Sequence, residues 1–136
     1  MRCRTRKEPD VNREAVSRWL DAYVEAWRTY DRDRIAVLFT TDAQYRYHPY
    51  DEPVRGRDAI VESWFEDPDD PGTFEGRYEP IAVDGDVAVA VGTSSYRNAA
   101  GVIDRIYDNI YVMRFDEDGR CRDFTEWYVK RPTSDA

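Results

Sequence analysis

The chain changes its hydrophobic period once, near Gly72, and that change limits the folds open to it. Before it, apolar residues recur at helical spacing. After it, they alternate. "VNREAVSRWLDAYVEAWRTYD" puts Val16, Trp19, Leu20, Tyr23, Val24 and Trp27 on an i, i+3, i+4, i+7 stripe, which predicts an amphipathic helix. Asp10 or Asn12 is placed to cap it. A second, short helix is predicted over "DRDRIAVLF", capped by Asp31 or Asp33, with Ile35, Leu38 and Phe39 turned inward. "AQYRYHP" reads as a strand stopped by Pro49. "GRDAIVESWFED" reads as a third helix with Ile60, Val61, Trp64 and Phe65 on one side, and "DPDDPG" breaks it.

Beyond Gly72, "TFEGRYEPIAV" and "VAVAVGTSSYR" flank the turn "DGD", a hairpin signal. "VIDRIYDNIYVMRF" is a long strand, and "RCRDFTEWYVKR" returns antiparallel after "DEDG". The sum is three helices with a short strand among them, then four long strands in a meander. Helices first and strands later predict an α+β fold: a cone-shaped barrel with helices packed on a curved, mainly antiparallel sheet. The open end of such a cone is a natural ligand cavity.

Composition excludes several classes. A net charge of -8 repels phosphate backbones, so nucleic acid is not an expected partner. No segment reaches the roughly 20 apolar residues of a membrane helix. Residues 1–10, opening "MRCRTRK", read as a flexible basic tail without the apolar stretch of a secretory signal, and 133–136 as a C-terminal tail. A single domain is expected over 11–132, with a cytoplasmic location as the default. Cys3 and Cys121 are far apart, which argues against a disulfide framework and a zinc site. Asp51, Glu52, Asp67, Asp69 and Asp70 make an acidic rim without metal-ligand spacing, so no metal is expected. No phosphate loop, nucleophile motif or dinucleotide fingerprint is present, so no cofactor is expected.

Strand alternation defines faces. Phe124, Glu126 and Tyr128 share one face of the last strand. Tyr107, Asn109, Tyr111 and Met113 share one face of the strand before it. Periodicity does not decide which faces point into the cone, because both carry apolar residues. The one histidine, His48, ends the first strand in "YRYHP". With an ordinary imidazole pKa near 6.5, such a residue suits a proton acceptor. It equally suits a strand end bonded to backbone or water.

The run "YVEAWRTYDRDRIAVLFTTDAQYRYHP", followed by "GRDAIVESW", resembles the opening of the nuclear-transport-factor-2-like superfamily. The ending "RDFTEWYVKRP" resembles its SnoaL-like polyketide-cyclase branch. The resemblance spans roughly residues 12 to 132. It implies that the Tyr111 and Glu126 faces point inward and that the protein forms a homodimer through the sheet. Ketosteroid isomerases of this superfamily carry a catalytic aspartate just before a proline in the first strand. Aligned by "LF..DA", His48 falls there. Their oxyanion-donating helix tyrosine matches Tyr23. Tyr111 stands where they use a protonated aspartate.

The resemblance implies a catalytic set of His48, Tyr23 and Glu126, with Trp27, Trp64, Asn109, Tyr111, Phe124 and Tyr128 as ligand-binding wall. His48 would abstract a proton beside a carbonyl, and Tyr23 would stabilise the enolate. Glu126 would orient His48, return the proton, or simply pair with Arg105 or Arg122. The expected substrate is a hydrophobic carbonyl-bearing molecule, and the reaction an isomerisation, dehydration or cyclisation. Two other readings stay open: a non-catalytic small-ligand-binding protein, and a structural homodimer with a vestigial cavity.

Overall fold

The computed structural model describes residues 11–66, 68 and 72–132. The expected tails at 1–10 and 133–136, with Cys3 and Asp10, and the rim residues Asp67, Asp69 and Asp70 lie outside the described residues.

Helix α1 spans Arg13–Thr29. Asn12 caps it, accepting from the Ala15 N–H at 2.8 Å. Its buried stripe is Val16, Trp19, Leu20, Tyr23 and Ala26, and the helix ends at Tyr30 in the left-handed conformation. Helix α2, Arg32–Ala36, is capped by Asp31. Strand β1 is Phe39–Arg46 and β2 is Val54–Arg55, followed by helix α3, Arg57–Trp64. Strands β3 (Phe74–Asp84), β4 (Val87–Arg97), β5 (Ile103–Phe115) and β6 (Cys121–Lys130) complete the described order.

The six strands form one sheet in the order β2-β1-β6-β5-β4-β3. Only β1 with β6 is parallel; the other neighbours are antiparallel. The chain's last described strand therefore sits in the middle, between β1 and β5. The register shifts within four of the five pairings, which is where β-bulges bend a sheet. Pro80 is tolerated inside β3 because β3 is an edge strand and the register slips beside it.

The region around β1 and β2 departs most from the sequence expectation, and α3 ends at Trp64, before Phe65. Strand β1 begins at Phe39, inside the stretch read as the end of the second helix, because the Leu38 carbonyl accepts from the Cys121 N–H of β6. The same strand stops at Arg46, short of His48. The two-residue β2, paired to Gln44 and Tyr45, is too short to leave a periodic signal.

The helices pack against one face of the sheet. Trp19 reaches across to donate its indole N–H to the Leu38 carbonyl at 3.0 Å. The core is largely aromatic: Tyr23, Tyr45, Trp64, Tyr111, Phe39, Phe115 and Phe124 are among its largest fully buried side chains. Tyr45 stacks on Phe124 with ring centroids 4.5 Å apart, and Tyr23 lies over Phe124 at 5.4 Å. Gly92 makes room for this packing. A side-chain carbon there would sit 2.0 Å from the Arg77 carbonyl and 2.5 Å from the Tyr78 ring. Cys121 is buried, and burial pushes its thiol pKa up, the opposite of a reactive cysteine.

Candidate functional site

Along β5 the inward residues run Arg105, Tyr107, Asn109, Tyr111 and Met113. Register pairs Arg105 with Tyr96 and Tyr107 with Ser94 on β4. On the other side it pairs Asn109 with Tyr128 and Tyr111 with Glu126 on β6. The deeper part of this wall, Tyr111 and Met113, is closed by core packing. The shallower part borders an open cavity of about 360 Å³, whose wall also includes Trp27 of α1 and Tyr47, just beyond β1.

Glu126 is the carboxylate of this cavity. Its Oε2 accepts from Asn109 Nδ2 at 2.7 Å. Asn109 Oδ1 in turn accepts from Ser94 Oγ at 2.9 Å. A carboxylate only accepts in its ionised form, so the Asn109 amide has one orientation that satisfies both neighbours. With the Ser94 proton committed to Asn109, the Tyr78 hydroxyl donates to Ser94 Oγ. Tyr78 is also hydrogen-bonded to Tyr111. The donors thus point one way, from Tyr78 through Ser94 and Asn109 to Glu126. Such a chain polarises its own members.

Burial lifts the Glu126 pKa to about 7, and the Asn109 hydrogen bond draws it back only in part. Its negative form is also felt by the hydroxyls around it. Tyr47 and Tyr78 are pushed up to about 12, mainly by burial, with Glu126 adding to the effect. Neither arginine weighed as its partner is used that way. Arg122 Nη2 lies 2.6 Å from Asp86, and Arg105 pairs with its neighbour Asp104 at 3.8 Å.

Four of the residues singled out from sequence therefore meet on the cavity wall: Trp27, Asn109, Glu126 and Tyr128. Tyr23, Trp64, Tyr111 and Phe124 lie in the core instead. The Tyr23 and Tyr45 hydroxyls share one hydrogen bond at 3.0 Å, and burial first, Glu126 second, raises the Tyr23 pKa well above its usual value. Trp64 stacks on Trp27 at 3.9 Å, and its buried Nε1 has no hydrogen-bond partner.

His48 is not on the cavity wall and does not meet Glu126. It sits at the rim beyond β1. Its Nδ1 lies 2.8 Å from Asp51 Oδ2, and its Nε2 lies 2.8 Å from the Tyr128 hydroxyl. Its ring also stacks on Tyr50 with centroids 5.2 Å apart.

The wall contains four residues not anticipated from sequence, Tyr47, Ser94, Tyr96 and Arg105, and also Tyr107, whose face was expected inward but which was not named as a lining residue. Alternation could have found two of them: Arg105 precedes Tyr107 by two residues, and Tyr47 follows Tyr45 by two. The signal for Ser94 was absent, because only the β4–β5 register brings it to Asn109.

The arrangement can hold a small, largely aromatic or alicyclic molecule. It offers one carboxyl that exchanges a proton near neutrality and a guanidinium at the mouth. Among the described residues, no three histidine, cysteine or carboxylate side chains converge as a metal site. No described helix is long and apolar enough to cross a membrane.

Residues 20–124 match the family model described as "SnoaL-like domain". No curated protein matches the chain. Among solved structures, the chain is similar to an NTF-2 like protein of unknown function from Burkholderia xenovorans LB400. The two are 20% identical and superpose with a TM-score of 0.66 over 90% of this chain and 88% of that one.

Proposed function

The chain belongs to the SnoaL-like domain family, and from that membership we propose a cofactor-independent acid/base enzyme acting on a hydrophobic carbonyl compound. The observation that carries this reading is Glu126: a carboxyl on the wall of an open cavity, lifted to about 7 and fed by a one-way hydrogen-bond chain. A base with that pKa is half ionised at neutral pH, where proton abstraction and return are both supported.

Asn109 occupies Oε2, so the proton is taken up and returned through Oε1. A ligand in the cavity presents an acidic C–H to that oxygen. Tyr107 and Arg105, on the same face of β5, supply donors for the enolate oxygen that develops. Trp27 and the aromatic wall exclude water and hold the ring system. Isomerisation, dehydration and cyclisation all begin with this proton transfer. Tyr23, Tyr111, Phe124 and Trp64 support the wall from the core in this reading.

A homodimer through the outer face of the sheet is part of the same proposal. Register aligns Val91, Ile110 and Trp127 in one row across β4, β5 and β6. Ile110, Trp127 and Val129 are exposed there around an apolar hollow. Soluble surfaces do not ordinarily leave such a row uncovered.

The test is deuterium exchange at the α-carbon of a panel of aromatic and steroid ketones, followed by NMR. The native protein is expected to accelerate exchange, and Glu126→Gln to lose on the order of 10²- to 10⁴-fold of that acceleration. Ketones that bind without any accelerated exchange would turn the reading to a non-catalytic binding protein.

A further inference from the structure

Glu126 is one proton-transfer group, but the cavity wall carries a second polar position with a route to solvent. Tyr128 stands two residues along β6 on the same face, roughly 7 Å away between α-carbons. Its hydroxyl is 2.8 Å from His48 Nε2, and His48 Nδ1 is 2.8 Å from Asp51 Oδ2. The carboxylate of Asp51 accepts, which places the imidazole proton on Nδ1 and leaves the Nε2 lone pair facing Tyr128. The Tyr128 hydroxyl therefore donates to His48 and keeps an oxygen lone pair with which to accept, and Tyr128 lines the cavity. His48 and Asp51 are each about one-third exposed, at 34% and 33%, so the far end of the chain reaches solvent.

We propose that Tyr128, His48 and Asp51 form a proton relay that removes the proton of a ligand hydroxyl or enol bound beside Tyr128. The ligand O–H proton passes to Tyr128 Oη as the Tyr128 proton passes to His48 Nε2. Nδ1–H stays on Asp51. The products are a ligand oxyanion, a neutral phenol and an imidazolium paired with a carboxylate, so charge and protons balance. The reverse path restores the resting state. The arrangement follows the logic in which an acid orients a histidine and the histidine activates a hydroxyl, with a phenol as the last member. Here the phenol is a shuttle and not a nucleophile.

The substrate class narrows accordingly. A ligand that uses both groups has an acidic C–H or carbonyl near Glu126 and a hydroxyl or enol one step along the wall: a hydroxylated aromatic ketone or an enolised dicarbonyl compound. The titratable groups facing the relay are Tyr50 and Asp51 from the rim loop, Glu126 on β6 and Tyr107 on β5. Arg105 lines the same cavity as Tyr128.

The catalytic use of the relay rests on the reading of Glu126 above, but its hydrogen-bond direction and ligand preference do not. Two measurements on the full chain test it without turnover. Long-range ¹⁵N–¹H NMR of the one histidine reads the tautomer directly. The relay requires the neutral Nδ1–H form, and an Nε2–H form overturns it. Calorimetric titration with 4-hydroxyacetophenone and its methyl ether reads the cavity end. The native protein is expected to favour the hydroxyl compound, and Tyr128→Phe to lose at least about tenfold of that affinity while binding the ether unchanged. Equal affinity for the two compounds in the native protein, binding of neither, or equal loss of both in Tyr128→Phe, overturns the proposal. Loss of ketone deuterium exchange alone would sink the Glu126 reading and leave these two results standing.

Discussion

Asn109 holds Glu126 by a 2.7 Å hydrogen bond from its amide nitrogen, while its amide oxygen is held by Ser94 at 2.9 Å. One side chain thereby engages Oε2 and leaves Oε1 for the proton transfer proposed above. It also tunes the pKa, since this bond is what pulls Glu126 back against burial.

Removing the amide should move that balance. Asn109→Ala is expected to raise the Glu126 pKa above about 7, because burial remains and its counterweight is gone. The midpoint of the rising limb in a kcat/KM profile should shift to higher pH. An unshifted midpoint would mean that the amide does not govern the reactive carboxyl.

Glu126 also predicts a pH dependence of stability. Its folded pKa of about 7 lies above the ordinary 4.5. Below 4.5 both states are protonated and nothing is lost. Between the two values the unfolded chain gives up a proton that the folded chain keeps, so stability falls as pH rises, and above about 7 the loss is constant. The loss is on the order of 2 kcal/mol after allowing for partial exposure. Glu126→Gln removes it. Urea unfolding at pH 5 and pH 8 should show the variant gaining on the native protein at the higher pH.

Gly92, the register partner of Asn109, predicts a packing effect. A methyl at this position meets the Arg77 carbonyl and the Tyr78 ring, neither of which can retreat from the sheet. Gly92→Ala should cost about 2 kcal/mol. The urea midpoint should drop with its slope unchanged, and Tyr78 should lose its hold on Ser94.

Trp127, 41% exposed beside Ile110, tests the proposed assembly. Trp127→Glu buries a charge in any sheet-to-sheet contact, so light scattering should report monomers where the native chain gives dimers. A native chain that is already monomeric at high micromolar concentration would remove this face from consideration.

How much was legible depended on whether the signal was local. The α1 stripe Val16, Trp19, Leu20 and Tyr23 needed only helical spacing, and the four long strands needed only alternation and turns. Glu126, Asn109 and Tyr128 could be put on common faces for the same reason. What failed to show was set by contacts between distant segments. Ser94 matters because β4 pairs with β5 in one register. His48 was expected in the strand, but Pro49 follows it and Asp51 turns it to the rim, where its partner is Tyr128, 80 residues away in sequence. The face containing Arg105 was readable, yet its place at the mouth required knowing which end of β5 stays open.

Strand β6 lies between β1 and β5 and carries both Glu126 and Tyr128. During synthesis the chain emerges N-terminal end first, so α1, β1 and the β3–β5 meander are available before the central strand is. Until residue 130 is free of the ribosome, β1 and β5 each keep an unfilled edge, and closing that gap joins segments from opposite ends of the domain, a slow kind of contact to form. Glu126 and Tyr128 arrive only with the strand that finishes the sheet, so His48, Asp51 and Asn109 wait without the partners proposed for them, and a truncated chain is expected to be sticky rather than partly active.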